Sequence, residues 1–480
     1  MRDYLRNDDA LLAFALLAII LPFYSSFPYL DDMVRLTYNY TGLIVQGRYL
    51  TEWFYTAMQG MQFTTFPDIY YFNLAFVVFL TLSLKRYVLD ENEHLKYNGM
   101  VLIVCIFSSP FILENLSYHI DSIGMFSSLI LSIASACINN SRFVIRAIIS
   151  AVILFIATCF YQFSLNVYIC TVVIISLFMT KSHDEKSLLN FILSKIIALF
   201  VAFVIYMSIM SIYATDTYVD SHATLMTLDE MKNGVLFNNL TNINKIIKSA
   251  FTPYYSIIFF ILASVALIGL IHQVIINLMN RRYLSAVCIL AAPIVTLSMV
   301  YMPAALFSRP IIQPRILIAY GFFVFVLFSM AISISSLKRI PFICVIALFA
   351  VNVMTASAFS KSQSFVIHST KAVMDKIYTS APESMKDSNG EVKVIFTNLY
   401  NHGMEFERNS KYFPVLNYLV RDPQKSPFLL NGLNRYFRTG IKVIRGKYVG
   451  DCNPVGVASP WIYLSTCDGE TINVTFKNYY

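Results

Sequence analysis

The run ALLAFALLAIILPFYSSFPYLDDMVR, from Ala10 to Arg35, sets the pattern of the chain, because a long apolar segment ends directly at a charged loop. That loop reads Tyr29-Leu30-Asp31-Asp32-Met33-Val34-Arg35, and Gly47-Arg48-Tyr49-Leu50 adds a second arginine. Charged residues make up 13% of the chain, whereas globular proteins carry about 25%. Two adjacent carboxylates in a chain that avoids charge make this loop the first candidate for a chemical site.

The composition indicates a membrane protein with several spanning helices. Of the 480 residues, 57% are hydrophobic, and each crossing of a hydrocarbon core about 30 Å thick needs about 20 apolar residues. Eleven segments have a suitable length: residues 9–27, 67–84, 97–113, 122–138, 143–161, 163–180, 191–213, 254–279, 283–302, 316–336 and 341–359. Within 143–180, the polar dip Tyr161-Gln162-Phe163-Ser164 predicts a hairpin. The net charge of +8 does not indicate a nucleic-acid partner, because cytoplasmic loops of membrane proteins collect Lys and Arg.

The basic residues predict the orientation of the spans. They concentrate in alternate loops: Arg2 and Arg6; Lys85, Arg86 and Lys96; Arg142 and Arg146; Lys181, Lys186 and Lys195; Arg281 and Arg282; Lys338 and Arg339. Basic loops lie in the cytoplasm, so the N-terminus is expected there, and an odd number of spans puts the chain after Ser360 outside. The first segment lacks a small-x-small exit, which predicts a signal anchor instead of a cleaved peptide.

The last part of the chain has a different composition. After residue 360, apolar runs shorten and Gly, Pro, Asn and charged residues return, so we predict a transmembrane domain over 1–360 and a small α+β domain over 361–480. Alternation and turn signals predict strands at 392–399, 441–445, 461–465 and 471–476, and helices at 366–378 and 411–420.

Two of the eight cysteines, Cys452 and Cys467, lie in this second domain, while the other six lie in apolar runs. An oxidising compartment would allow Cys452 and Cys467 to form a disulfide; the alternative is two free thiols. The chain has no Cys/His spacing typical of zinc sites.

More charged residues gather at the predicted outer ends of the spans. Glu114 and Asp121 flank the short loop between the third and fourth spans, and Arg309 and Arg315 lie in a segment interrupted by prolines. A carboxylate can act as general base on a hydroxyl nucleophile, and arginine binds phosphate in bidentate fashion. This combination suits sugar transfer from a phosphate leaving group at the membrane surface. A carboxylate pair could instead bind Mg²⁺ or Mn²⁺.

Each of these residues also has a structural interpretation. Asp31 and Asp32 could cap a helix that begins at Met33. The remaining alternatives are solvated loop acids for Glu114 and Asp121, interface anchors for Arg309 and Arg315, a polar loop residue for His119, and interfacial aromatic residues for Tyr29, Tyr49 and Trp53. The long outer loop 214–253 could be an amphipathic lid or a plain connector.

Three motifs resemble those of the serotype-converting O-antigen glucosyltransferases of temperate phages and their bacterial relatives. They are Tyr-x-Asp-Asp-x-x-Arg at Tyr29–Arg35, Gly-Arg-x-Leu at Gly47–Leu50, and Pro-Phe-x-x-Glu-Asn-x-Ser-Tyr-x-x-Asp at Pro110–Asp121. The resemblance covers the N-terminal third, and the later spans agree in layout only. His119 stands where the pattern leads us to expect Arg.

The resemblance implies a multi-pass GT-C-like glucosyltransferase of the bacterial inner membrane. Such an enzyme takes glucose from undecaprenyl phosphate glucose and adds it to O-antigen repeat units of lipopolysaccharide on the periplasmic face, which converts the serotype. The first outer loop of GT-C enzymes carries an essential acid, which corresponds here to Asp31 or Asp32. The expected partners are the lipid donor, the polysaccharide acceptor, membrane lipid, and a dedicated flippase and donor synthase.

We therefore assign the candidate residues as follows. The base is Asp31 or Asp32, supported by Glu114 and Asp121. The donor phosphate is bound by Arg35, Arg48, Arg309 and Arg315, and the sugars are contacted by Tyr29, Tyr118 and His119.

Two other functions compete with this one. A flippase for a lipid-linked saccharide is expected to place charges or broken helices near the midplane, whereas this chain concentrates charge at one face. An O-antigen polymerase or ligase is expected to carry a large arginine-rich outer loop late in the chain, and loop 214–253 contains no Arg.

Overall fold

The computed structural model describes residues 2–25, 28–29, 32–33, 35, 42–58, 69–182, 184–213, 224–398, 404–444 and 452–476. The chain divides into two compact units. The helical unit comprises Met1–Tyr24, Gly42–Gln62 and Asp68–Ser357, and the C-terminal unit comprises Ser25–Thr41, Phe63–Pro67 and Ala358–Tyr480. The division at 357/358 lies close to residue 360, but the C-terminal unit also takes two early segments that the sequence placed in the transmembrane domain.

The described part of the helical unit is built mainly of α-helices. In chain order they are α1 Arg2–Ile20, α2 Tyr49–Met58, α3 Ile69–Leu84, α4 Gly99–Phe107, α5 Ile112–Ser117, α6 Ser122–Cys137, α7 Phe143–Phe160, α8 Ser164–Ser182, α9 Glu185–Tyr213, α10 Leu228–Lys232, α11 Val235–Ala250, α12 Pro253–Met279, α13 Tyr283–Tyr301 and α14 Tyr320–Ala331. Helix α15, Arg339–Ser380, begins in this unit and ends in the other. The break between α7 and α8 falls at residues 161–163, where the polar dip predicts it.

Seven helices of the described chain are long and apolar enough to cross a membrane, which makes this a membrane protein with several spans. They are Tyr71–Leu89, Phe143–Phe160, Ser164–Lys181, Glu185–Ile212, Pro253–Met279, Tyr283–Tyr301 and Arg339–Ser380. The other four predicted spans contain α1, which begins with several charged residues, and the shorter helices α4, α6 and α14. The number of eleven spans therefore stays a prediction. Seven of the predicted spans overlap a helix that is long and apolar enough to cross a membrane.

Two buried basic residues, Lys195 and Arg146, form hydrogen bonds between helices of this unit. The Lys195 ammonium in α9 donates to the carbonyl oxygens of Ser135 (3.0 Å) and Ile138 (2.7 Å) and to the Ser150 hydroxyl (2.8 Å). The Arg146 guanidinium in α7 donates to the carbonyl oxygen of Asn190 at 2.8 Å. The last carbonyls of a helix have no partner within it, so Lys195 stabilises the end of α6.

The C-terminal unit contains a five-stranded mixed sheet. Its strands are β1 Val392–Phe396, β2 Ile441–Val443, β3 Asn453–Ser459, β4 Ile462–Thr466 and β5 Ile472–Phe476, in the order β2-β1-β5-β4-β3. Strand β1 pairs in parallel with β2 and β5, whereas β4 pairs antiparallel with β3 and β5. Its helices are the end of α15, α16 Met404–Tyr412, α17 Leu416–Leu419 and α18 Pro427–Phe437.

The structure extends the sequence prediction of this unit in three places. Helix 366–378 is continuous with the last predicted span, within α15. Strand β3 and helix α18 were not predicted, because Pro454, Gly456 and Pro427 are turn signals in a sequence. In the structure Pro427 begins α18, where proline is tolerated, and β3 is an edge strand with two register shifts, where Pro and Gly are tolerated. Cys452 and Cys467 form a disulfide.

Candidate functional site

Arg48 lies in a tight turn that leads into α2. Its backbone N–H donates to the Leu43 carbonyl at 2.9 Å, and the Leu43 N–H donates to the Glu52 carboxylate at 2.9 Å. Gly47 has a φ of +76°, and a Cβ there would stand 2.3 Å from the Met210 sulfur and the Tyr206 hydroxyl. Only glycine fits both the left-handed backbone and this space, so the turn is tightly specified.

The Arg48 side chain pairs with Asp121. Its Nη1 lies 2.8 Å from the Asp121 Oδ2, and the side chains are 13% and 2% exposed. The guanidinium also lies over the Tyr161 ring, 4.8 Å from its centroid. Buried charges need such partners because desolvation is costly. The predicted phosphate-binding Arg48 and the predicted supporting acid Asp121 are therefore in direct contact.

Glu114 and Arg315 form the second contact of this site. The Arg315 backbone N–H, in the 3-10 turn Pro314–Ile316, donates to the Glu114 Oε2 at 2.8 Å. The Arg315 guanidinium donates to the Tyr118 hydroxyl and lies over the Tyr118 ring, 5.0 Å from its centroid. Glu114 and Tyr118 are fully buried. Residues predicted from two separate stretches of sequence thus meet.

Tyr161 lies among these charges. Burial raises the pKa of its hydroxyl, Arg315 and Arg48 act to lower it, and Glu114 and Asp121 act to raise it. The Tyr161 side chain therefore interacts electrostatically with two guanidinium and two carboxylate groups. These residues form a single cluster in the helical unit. Sequence reasoning missed Tyr161, because the polar dip around it predicts only the hairpin. We call Arg48, Glu114, Tyr118, Asp121, Tyr161 and Arg315 the charged cluster.

His119 is buried beside this cluster. Its carbonyl oxygen accepts a hydrogen bond from Asn73 at 2.6 Å, and burial lowers the pKa of its imidazole to about 3. A base with so low a pKa accepts a proton poorly at neutral pH. The ring is therefore uncharged and suited to hydrogen bonding instead of proton transfer.

Arg309 lies near Glu230. It is exposed, and its charge helps to lower the pKa of Glu230, whose carboxylate accepts hydrogen bonds from Thr227 and from the Ser308 hydroxyl. Loop 214–253 is described from residue 224, where Leu225 bridges Phe307 and Asn239 donates to the Phe307 carbonyl at 2.8 Å. Arg309 therefore belongs to the contact between this loop and the segment before Arg315.

The acidic loop, residues 29–35, belongs to the C-terminal unit. Asp32 is fully buried and Arg35 is 3% exposed, while Asp31 lies outside the described residues. The Tyr29 hydroxyl donates to the Leu419 carbonyl at 2.6 Å. The described part of the loop is thus a packed element of this unit.

No group of three or more His, Cys, Asp or Glu side chains among the described residues could hold a metal ion. The divalent cation stays an untested prediction, since Asp31 is outside the described part.

Comparison with known proteins identifies the family. The model of the family described as "Glucosyl transferase GtrII" matches residues 21–327. An uncharacterized 55.3 kDa protein in the gtrB 5' region of Salmonella phage P22 is 30% identical over 168 residues, which are 34% of this chain and 34% of that protein. No solved structure matches. Because the matched region covers more than half of the sequence, the chain belongs to the GtrII glucosyl transferase family.

Proposed function

We propose that this protein transfers glucose from undecaprenyl phosphate glucose to O-antigen repeat units of lipopolysaccharide, on the periplasmic face of the bacterial inner membrane. The observation that carries the proposal is membership of the GtrII family over residues 21–327. The apolar helices fit a lipid-linked donor, and the two arginines of the charged cluster fit its phosphate. The consequence would be a change of serotype.

The reaction is proposed to invert the anomeric carbon. The acceptor hydroxyl attacks C1 of glucose, the bond from C1 to the phosphate oxygen breaks, and undecaprenyl phosphate leaves with its electron pair. A carboxylate takes the hydroxyl proton, and we assign that role to Asp31 or Asp32. Arginine charge stabilises the departing phosphate, a role that we assign to Arg35, Arg48 and Arg315.

Glu114 and Asp121 are assigned supporting roles for a physical reason. The Asp121 carboxylate is occupied by the Arg48 guanidinium at 2.8 Å, and the Glu114 carboxylate by the Arg315 backbone N–H at 2.8 Å. Each of these carboxylates already accepts a hydrogen bond from an arginine of the cluster, so we do not assign either of them as the base. Their proposed task is to orient the two arginines.

Analysis of lipopolysaccharide composition and linkage tests the function. Strains with and without the protein should differ by one glucosyl branch per modified repeat unit, and the Asp32→Asn variant should resemble the strain without it. Purified protein with synthetic donor and O-antigen should form the same linkage. A flippase would form no linkage in this purified assay. Absence of transfer by the purified protein, with a donor known to be active, would contradict the proposal.

A reporter fusion tests the proposed orientation separately. Reporters fused after Ser360 should be active in the periplasm, and reporters fused after Arg282 should be active in the cytoplasm. Cytoplasmic activity after Ser360 would contradict the odd number of spans. The proposed donor synthase and flippase would be needed in cells but not in the purified assay.

A further inference from the structure

Tyr29 joins the acidic loop to a segment 390 residues later in the chain. Its hydroxyl donates to the Leu419 carbonyl at 2.6 Å and accepts from the Arg421 Nε at 3.4 Å. Its ring meets the Phe359 ring edge-on, with centroids 6.0 Å apart. Tyr29 is 1% exposed, so its side chain is buried as well as hydrogen-bonded.

A second anchor follows Asp32 directly. Met33 is 5% exposed and is part of the core of the C-terminal unit, together with Ile367, Met374 and Val394. On the other side of Asp32, its backbone N–H donates to the Tyr29 carbonyl at 2.9 Å. Asp32 therefore lies between two anchors, Tyr29 and Met33, and both of them pack against residues beyond 357.

Arg421 is itself held firmly. Its backbone N–H donates to the Gln363 Oε1 at 2.9 Å, and the Gln363 side chain donates back to the Arg421 carbonyl at 3.3 Å. Gln363 lies on α15 and is 4% exposed. The two hydrogen bonds fix the backbone from which the Arg421 guanidinium reaches Tyr29.

We propose that Tyr29 and Arg421 are positioning residues that hold the carboxylate of the acidic loop, so that the segment 419–421 is part of the catalytic machinery. This rests on the proposed function, in which Asp31 or Asp32 is the base. The segment lies outside residues 21–327, which the family model matches. Displacing a catalytic group by about 1 Å costs about 100-fold in rate.

The test uses the full-length protein in lipid nanodiscs. Tyr29→Phe removes the hydroxyl, Arg421→Gln removes the guanidinium, and the double variant removes both. Matched controls are Tyr412→Phe and Arg408→Gln, since both side chains are exposed. Transfer from synthetic undecaprenyl phosphate glucose to O-antigen gives kcat and KM, and thermal unfolding gives stability.

We expect each single variant to lower kcat about 10–100-fold, with KM changed less than about threefold and the melting temperature retained. Because both act through one contact, the double variant should lose little more than the worse single variant. Arg421→Lys keeps a charged donor and should recover part of kcat. Wild-type kcat in both single variants would overturn the proposal, as would losses that multiply in the double variant.

A readout without activity separates this inference from the proposed function. Hydrogen exchange of the peptide covering residues 28–36 reports the Asp32 amide, which is bonded to the Tyr29 carbonyl. Arg421→Gln should speed exchange in this peptide, and Arg408→Gln should leave it unchanged. If the wild-type protein transfers no glucose, the function fails while faster exchange still supports the positioning role. Unchanged exchange would overturn the positioning role whatever the activity.

Discussion

The charged cluster of the helical unit and the acidic loop of the C-terminal unit are held in place by different kinds of contact. In the cluster, the Arg48 guanidinium pairs with the Asp121 carboxylate across 73 positions of sequence, and the Arg315 backbone N–H donates to the Glu114 carboxylate across 201. In the acidic loop, a tyrosine and a methionine on either side of Asp32 are fixed by residues up to 390 positions away. The cluster lies inside the family-matched region, whereas the support of the loop extends beyond it. The family match thus includes the charged cluster together with its contacts, whereas it includes Asp31 and Asp32 without the residues beyond 357 that pack against their loop.

The largest effect is expected at the predicted base. Asp32→Asn should lower glucosyl transfer at least about 10³-fold while expression and membrane insertion are retained, because an amide cannot accept the acceptor proton. Asp229→Asn, which changes an exposed acid, is the control. The measurement is the rate of glucosyl transfer by each purified variant. Full activity in both Asp31→Asn and Asp32→Asn would exclude the acidic loop as the catalytic centre.

Breaking the pair in the charged cluster should come second. Arg48→Ala leaves a 2% exposed carboxylate without this guanidinium, which should lower the free energy of unfolding by about 3 kcal/mol and weaken donor binding. The double variant Arg48→Ala/Asp121→Asn should regain part of that stability. The control pair, Lys371 and Asp375, is 36% and 44% exposed, so its removal should change stability by less than about 1 kcal/mol. Equal losses at both pairs would contradict the assigned burial.

Reducing the disulfide should affect only the C-terminal unit. Cys452 and Cys467 are 15 residues apart, and closing a loop of that size contributes about 3 kcal/mol. Cys452→Ser/Cys467→Ser should therefore lower the unfolding temperature of that unit and speed its proteolysis. Cys288→Ser, in α13, is the control. Identical proteolysis of the oxidised and reduced protein would show that the disulfide contributes nothing.

The smallest effect is the pH dependence from His119. Its pKa is about 3 in the fold and about 6.5 in an unfolded chain, so the unfolded chain binds the proton first. The stability from the neutral ring is complete above about pH 6.5 and is lost below it, by about 1.4 kcal/mol per pH unit. His119→Asn should flatten the stability curve between about pH 6.5 and 5, compared with variants of the exposed His272. Parallel curves for the wild type and His119→Asn would refute the burial of this imidazole.

The sequence predicted local features better than contacts. The hairpin at 161–163 and the strands β1, β2, β4 and β5 follow from polar dips and alternation, which are properties of neighbouring residues. Arg309 and Arg315, six positions apart between prolines, appear equivalent in the sequence. In the structure Arg309 is exposed near Glu230, whereas the Arg315 guanidinium lies over the Tyr118 ring. That difference depends on loop 224–250 and on α5, so no local pattern could reveal it.

The same limit applies to Tyr161 and to the acidic loop. Nothing in the dip Tyr161-Gln162-Phe163-Ser164 indicates that Arg48 and Arg315 converge on its tyrosine. Likewise the sequence grouped the acidic loop with the transmembrane domain because the two are adjacent in the chain. Its packing with Ile367 and Leu419 is decided by apolar burial and one hydroxyl, which the sequence shows only as scattered residues.

The buried Lys195 has a consequence for biogenesis. Its ammonium is satisfied by groups of Ser135, Ile138 and Ser150, so α9 cannot bury this charge at low cost until α6 and α7 are beside it. During synthesis Lys195 follows the groups that it binds by 45 to 60 residues, so α6 and α7 are made before their partner on α9. Lys195→Met should therefore slow the assembly of the helical unit, measured as prolonged protease sensitivity of newly made chains, before any sugar is transferred.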